Sequence, residues 1–600
     1  MPDKKYLFLK NKKQRYSYKL DKISTSLKKI SLYRFLIFIF LLLSIIIFYI
    51  QRDFLFISFL PITTVILFIF LIHKYNKVSK IYSKIDSILQ LLKREELRYD
   101  LKISELYRED PDFLDPSNFH FWKDLDIFGK QGLYSYLDTT VTQGGNKKFV
   151  YELLQKEVPN LSNINYKQTV IKELSFRKRL LWKLLYLFYE TSSSGGYTKV
   201  SLKYKIESVK QIISKPKQSL LFIKLFLIIG YIGGFLLFLL DKPGLWGFFF
   251  FTQIILYTLK FKKKNIIIKK YEKFISILSK FEDISLYLSK VKFTSEGLKN
   301  KFNRLSNKDL SNLFIRIKKL ETKLVYREIP LPGFLLNLFI SFDYFILNDI
   351  NEIENSNIPI DDLIESLDYL DSILPFTLLQ FYDQNLEFPE FLESLELSSE
   401  QIGHPLIPSN RRVYNKLSNI KPGSVVLITG SNMSGKTTFL RTIGINVLLA
   451  HCGAPVCAKS MKLSPMKILS SIKNEDSLSE GVSFFYSEVQ KLSYILRESK
   501  SNNSLLLIDE VLKGTNTRER LIATKSLLQS LSEINSLNYI TTHDIELAKE
   551  SNSIELKHFT EIVENDKMSF DYLIRDGVIT SGNALKILSI ECPELKLFLN

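Results

Sequence analysis

Ser424–Arg441 reads SVVLITGSNMSGKTTFLR, and this stretch decides how the C-terminal part of the chain folds. Val425–Ile428 is a short apolar run rich in β-branched residues, the pattern of a buried strand. Gly430 follows Thr429, four residues intervene, and Gly435-Lys436-Thr437 opens an apolar, helix-like segment. Strand, Gly-rich loop and helix start together form the context in which G-x-x-x-x-G-K-[ST] holds phosphate. Backbone N–H groups of Gly430, Ser431, Asn432, Met433, Ser434 and Gly435 converge with the helix N-terminus at Lys436, Thr437 and Thr438 on a bound anion. Lys436 supplies a point charge for β- and γ-phosphates, and the Thr437 hydroxyl is a ligand for Mg²⁺. The expected ligands are ATP and Mg²⁺.

Downstream, Ser504–Ile508 is a second hydrophobic strand, and it delivers Asp509-Glu510 at its C-terminal end. Beside a phosphate loop, Asp509 is expected to hold the Mg²⁺ shell and Glu510 to position or deprotonate an attacking water. A third strand, Asn538–Thr542, ends at His543. There a histidine can sense the γ-phosphate; a purely structural histidine is the competing reading. Short strands alternating with helices from about Leu397 onward are the α/β pattern, so residues 397–600 are read as an α/β P-loop NTPase domain.

The 600 residues allow several domains. With 82 Lys+Arg against 63 Asp+Glu, the net charge is +19, a surplus that suits nucleic acid or anionic lipid without choosing between them. Eleven Lys/Arg stand against Asp3 and Asp21 in residues 1–34, a basic N-terminal segment. Cys452, Cys457 and Cys592 are too few for a disulfide scaffold and lack paired metal-ligand spacing. A reducing compartment fits.

Four apolar runs interrupt the mixed-charge pattern: Phe35–Ile50, Phe54–Ile72, Leu225–Leu240 and Leu245–Leu259. Each is apolar on all sides. The expectation is a transmembrane hairpin at 35–72 and a second apolar hairpin at 220–260, with a helical hairpin buried in protein as the alternative. Lys and Arg flank both pairs, which would leave the long segments in the cytoplasm. The expected localisation is therefore multi-pass in the cytoplasmic membrane. Residues 73–123 read as a helical linker with amphipathic periodicity, closed by Asp110-Pro111 and Asp115-Pro116. Residues 124–396 read as a mostly helical core.

The motifs resemble a known family. ITGSNMSGKTTFLRTIGINVLLAHCGAPVCA (Ile428–Ala458) resembles the ATPase domain of MutS-type mismatch-repair proteins. So, in order, do His404-Pro405, Asp476, Gly481, Ser483–Glu488, Leu507–Glu510 with Gly514-Thr515-Asn516-Thr517, and Thr541-Thr542-His543. More weakly, Gly132-Leu133, Thr140-Val141-Thr142 and Gly144-Gly145 resemble the opening of that family's lever domain, and Lys167, Val170 and Glu173-Leu174 the helix after it. Together with the membrane hairpins read from the apolar runs, the chain is then multidomain: the resemblance implies an α-helical MutS-like lever/core at 124–396 and a C-terminal ATPase domain of ABC type. It implies catalysis by Glu510, His543 and Lys436, Mg²⁺ on Thr437 and Asp509, nucleotide contacts along Gly430–Thr438, and Ser483 reaching the γ-phosphate of a partner subunit in a homodimer. It also implies DNA as a partner. Nothing before Asp124 resembles the mismatch-reading domain, whose Phe-x-Glu wedge stacks on a base. The segment Lys513–Arg520 departs from the family's more Gly-rich ending.

The function expected is a membrane-anchored MutS-like ATPase that couples hydrolysis to clamp-like DNA binding, in mismatch repair or a related DNA transaction. An ABC-type transport or mechanotransmission ATPase is the alternative, disfavoured by the missing LSGGQ-type signature. A membrane scaffold with a degenerate nucleotide site is disfavoured because every catalytic residue type is present.

Overall fold

The computed structural model describes residues 4–578 apart from internal segments, the longest being 192–228, 235–264 and 473–483. Shorter omissions include 51–54, 115–120, 337–341, 355–359, 548–553 and Asn432. Two compact units are present: one formed by residues 1–138, 150–197 and 375–600, the other by 139–149 and 198–374.

The first unit opens with two long helices, α1 (Lys4–Ile50) and α2 (Leu55–Tyr99). They run antiparallel: the Tyr6 and Tyr99 rings lie 5.4 Å apart, Lys13 pairs with Glu96, Arg34 sits 4.6 Å over Tyr75, and Phe38 meets Phe68 at 6.1 Å. The basic N-terminal segment is thus the first two-thirds of a docked helix. Its base is closed by a small core in which Leu9, Leu92 and Phe381 pack with Tyr16, Ile88 and Trp182. At the same end of α2, Arg98 is 2% exposed beside Glu95 at 0%. Its guanidinium donates to Glu95 Oε1 at 2.5 Å and to the carbonyls of Tyr136 and Asp138 at 2.9 and 2.7 Å. The short helix α3 (Phe121–Asp124) ends at a carboxylate with no exposure, and α4 (Lys178–Thr191) packs on α2.

The membrane expectations are corrected here. Among the described residues, no helix is long and apolar enough to cross a membrane. The run 35–50, sixteen residues at the end of a Lys-rich helix, extends about 24 Å at about 1.5 Å per residue, short of a hydrocarbon core of about 30 Å. Most of its described side chains are exposed in the single chain, Phe35 at 60% and Ile50 at 72%. The transmembrane hairpin at 35–72, the membrane as a partner and the multi-pass membrane localisation are therefore not retained. The second hairpin, 220–260, lies outside the described residues except for Ile229, Gly230, Gly233 and Gly234.

The second unit is helical: α5 (Glu282–Leu288), α6 (Asn307–Glu328), α7 (Phe342–Glu354) and α8 (Ile360–Thr377), the last belonging to it as far as Leu374. Leu310, Leu313, Phe314, Ile317, Leu320 and Leu324 recur at helical spacing on α6 and are buried, the stripe of an amphipathic helix. Arg327 on α6 grips Asp343 on α7 at 2.7 Å. Thr140-Val141-Thr142 is tied to α8 by Asp371, which accepts from the N–H groups of Val141 and Thr142 at 3.0 and 2.7 Å and from the Thr142 hydroxyl at 2.9 Å. A Cβ on Gly145 would lie 2.5 Å from Asp371 Oδ2, and one on Gly144 1.9 Å from Asp368 Oδ2. The Gly-Gly pair is there to let two buried carboxylates approach.

The C-terminal part of the first unit carries two sheets. The smaller has the order β1-β5-β2-β3, formed by β1 (Glu390–Phe391), β2 (Leu397–Ile402), β3 (Asn415–Leu417) and β5 (Ser460–Leu463). The larger comprises β4 (Val425–Thr429), β6 (Lys467–Ser471), β7 (Ser504–Asp509), β8 (Ser536–Thr542), β9 (Ile554–Glu564) and β10 (Lys567–Asp576). Its order is β10-β9-β4-β8-β7-β6, parallel except for β10. Every residue of β4, β7 and β8 is buried, as central parallel strands require. The helices α9 (Lys436–His451), α10 (Phe484–Ser501) and α11 (Thr517–Leu531) accompany the sheet. Leu427, Leu506, Ile508, Ile540, Leu527 and Leu531 share one core. Asp124 of α3 is bonded to Lys491 of α10 at 2.9 Å and to the Ser470 hydroxyl of β6 at 2.6 Å, and its carbonyl accepts from Arg441 of α9 at 3.1 Å.

Candidate functional site

β4, β8 and β7 are neighbours and parallel, so Thr429, Thr542 and Asp509 end side by side. In parallel sheets this carboxyl edge is where ligands bind. From β4 the chain turns through Gly430 and Met433 (φ +69°) to Gly435 (φ +104°), which caps α9 in the left-handed region. Glycine is required at 435 twice over, because a Cβ there would also lie 3.0 Å from the Tyr572 ring. Lys436 is 6% exposed, and its ammonium donates to the carbonyls of Gly430 and Ser431 at 2.8 and 2.7 Å. The Ser434 hydroxyl donates to Ser431 O at 2.8 Å, closing the loop on itself.

Asp509 joins the start of α9 to the end of β8. Its Oδ2 accepts from the Thr437 hydroxyl at 2.8 Å and its Oδ1 from the Thr541 hydroxyl at 2.5 Å. Thr541 fixes the carboxylate so that its second oxygen faces Thr437. This hydroxyl–carboxylate pair is an all-oxygen donor set suited to a hard cation. Among the described residues no group of three or more His, Cys, Asp or Glu side chains could hold a metal. Two protein oxygens fit Mg²⁺, which keeps most of its shell for water and phosphate.

Glu510 has φ +62°, and its Oε1 lies 2.6 Å from His543 Nε2. Its N–H donates to Thr541 O at 3.2 Å. A left-handed non-glycine residue costs about 1–2 kcal/mol, and here the turn aims the carboxylate along the strand edge beside Asp509. A cavity of about 470 Å³ joins these groups; Ser431, Met433, Ser434, Gly435, Lys436, Thr437, Thr438, Asp509 and Glu510 line it, and Gly430 closes it through the Lys436 bond. Asn432 and Ser483 lie outside the described residues.

The far wall of the cavity is where sequence reasoning fell short. Val413, Asn415, Phe559 and Tyr572 line it. Tyr572 has φ +57° and occupies a bulge in β10 between Phe570 and Ile574. Asn415 fixes that bulge, donating to Tyr572 O at 3.0 Å and accepting from Ile574 N at 2.8 Å. Only the bulge brings Tyr572 to the loop, and no local motif announces it. His404, from the His-Pro pair, lies on the same wall. Burial first, then the charges of Arg441 and Arg412, push its pKa down to about 4, so it is neutral near pH 7.

A parallel sheet presenting a Gly-rich loop, a buried lysine and two consecutive acids at its carboxyl edge defines the class: an α/β domain with its ligand crevice at the strand ends. Comparison with known proteins supplies the family. Residues 426–594 match the family model of MutS domain V. The chain is 27% identical over 268 residues to the DNA mismatch repair protein MutS of Aquifex pyrophilus, covering 44% of this chain and 30% of that protein. It is 34% identical over 199 residues to endonuclease MutS2 of Thermus thermophilus, covering 33% of this chain and 26% of that one. Its similarity to MutS-type proteins lies in this domain, and the chain spans less than a third of the length of either relative.

Proposed function

We propose that this chain is a Mg²⁺-dependent ATPase of the MutS type, with residues 397–600 as a P-loop NTPase domain and 124–396 as its helical lever/core. The observation that carries the reading is the convergence of Lys436, Thr437, Asp509 and Glu510 on one strand edge, with Glu510 held by His543. Lys436 and the N-terminus of α9 bind and orient the β- and γ-phosphates. Thr437 and Asp509 would hold Mg²⁺, which would supply positive charge to offset that of the phosphates. Glu510 orients a water for in-line attack and accepts its proton, while His543 fixes the carboxylate. Tyr572 and Val413 offer a flat, largely apolar wall for the base. Ser483 is assigned to the γ-phosphate of a partner subunit, which makes the active form a homodimer.

We further propose that the cycle is coupled to clamp-like DNA binding in a mismatch-repair-related transaction. The names of the two relatives and the net charge of +19 support it. Contacts to phosphates would dominate such binding and make it steeply salt-dependent. The test is ATP turnover with homoduplex, mismatched and branched DNA at two salt concentrations. Stimulation that fades at higher salt is expected; turnover indifferent to every DNA would overturn the DNA half of the reading.

A further inference from the structure

The departure at Lys513–Arg520 has a structural partner. Arg520, in the first turn of α11, sends Nε and Nη2 to the two oxygens of Asp544, both at 2.9 Å. Asp544 directly follows His543, the residue bonded to Glu510. The Arg520 and Asp544 side chains are 27% and 14% exposed, and a two-pronged guanidinium–carboxylate contact fixes orientation as well as distance. The turn is secured from its other side, since Asp544 N–H donates to the Thr542 hydroxyl at 3.0 Å. The helix end is secured too: the Asn516 side chain caps α11 by accepting from Glu519 N at 2.9 Å, and the Thr515 hydroxyl donates to Glu519. The hydrogen bonds to Asp544, with the nearby carboxylates of Asp544 and Glu510, keep the Arg520 guanidinium charged.

These contacts close a ring. The backbone leads from Glu510 to Arg520 at the start of α11; the side chains lead back through Asp544 and His543 to Glu510. We propose that Arg520 and Asp544 are positioning residues for water activation, tying the placement of His543 and Glu510 to the placement of α11. Neither touches the cavity that would hold the phosphates. Their loss should therefore move the Glu510 carboxylate while leaving nucleotide binding in place. A displacement of about 1 Å at a reacting group costs about a hundredfold in rate.

This inference rests on the ATPase reading, and the experiment separates the two. In the full chain, kcat, KM and the Kd of a fluorescent ATP analogue with Mg²⁺ are measured for wild type, Arg520→Gln, Asp544→Asn, Arg520→Lys and the exchanged pair Arg520→Asp with Asp544→Arg. Thermal unfolding of each variant separates loss of fold from loss of position. Both neutralising variants are expected to lower kcat about a hundredfold with Kd unchanged. Arg520→Lys should fall between them and wild type because it keeps the charge but not the fork, and the exchanged pair should recover most of the lost kcat. A wild type that neither binds nor hydrolyses ATP sinks the ATPase reading. An active wild type with Arg520→Gln equally fast, or an exchanged pair as slow as the single variants, sinks this inference alone.

Discussion

Glu510 is held in a left-handed turn that a glutamate does not choose, and Gly435 occupies one that only glycine tolerates cheaply. Both conformations place groups at the carboxyl edge of the sheet. Gly435→Ala meets a positive φ and the Tyr572 ring at once, so it should weaken binding of the ATP analogue at least about tenfold and lower stability by about 1 kcal/mol or more. Analogue titration and a urea melt check both; unchanged affinity would show that the loop does not form the phosphate cradle. At this scale the sequence was informative wherever spacing encodes chemistry. Lys436, Thr437, Asp509 and Glu510 stand in short motifs and meet in one cavity. Tyr572 and Asn415 were invisible, because a bulge and a contact across 157 positions bring them there.

Among the elements, α2 illustrates what periodicity cannot disclose. Its apolar spacing marked a helix, but not the buried Arg98–Glu95 pair that binds the 136–138 segment. Burial raises the Glu95 pKa, opposed by Arg98 and Arg94, so the carboxylate depends on its guanidinium partner. Arg98→Met should destabilise the chain by about 3–5 kcal/mol, because it strands a buried carboxylate and two backbone acceptors. The double variant with Glu95→Leu should recover part of that in chemical denaturation. A single variant costing under about 1 kcal/mol would show that the pair behaves as a surface contact. The strands β4, β7 and β8 were legible as apolar runs because both their faces are covered. β10 was not, since an edge strand with a bulge has no such pattern. The apolar run 35–50 was read from composition and flanking charge, and neither reports that it is the end of a longer helix, Lys4–Ile50, docked along α2.

For the molecule as a whole, pH offers a test that uses residues outside the phosphate loop. Burial holds His451 at about 4, helped by the charge of Lys167, and His404 at about 4 likewise. In the unfolded chain a histidine titrates near about 6.5. Between those values the unfolded state binds more protons, so stability is complete above about 6.5 and is lost as pH falls toward 4, by up to about 1.4 kcal/mol per pH unit for each histidine. Urea midpoints at pH 7.5, 6 and 5 should decline, and His451→Gln should flatten the decline; an equal slope in the variant would mean that His451 is not buried neutral. The most direct test of the central claim is ATP turnover with Mg²⁺ by wild type and Glu510→Gln at matched nucleotide occupancy. The account predicts that the variant binds ATP as wild type does but hydrolyses it at least about a hundredfold more slowly. Equal turnover in the two proteins would contradict it.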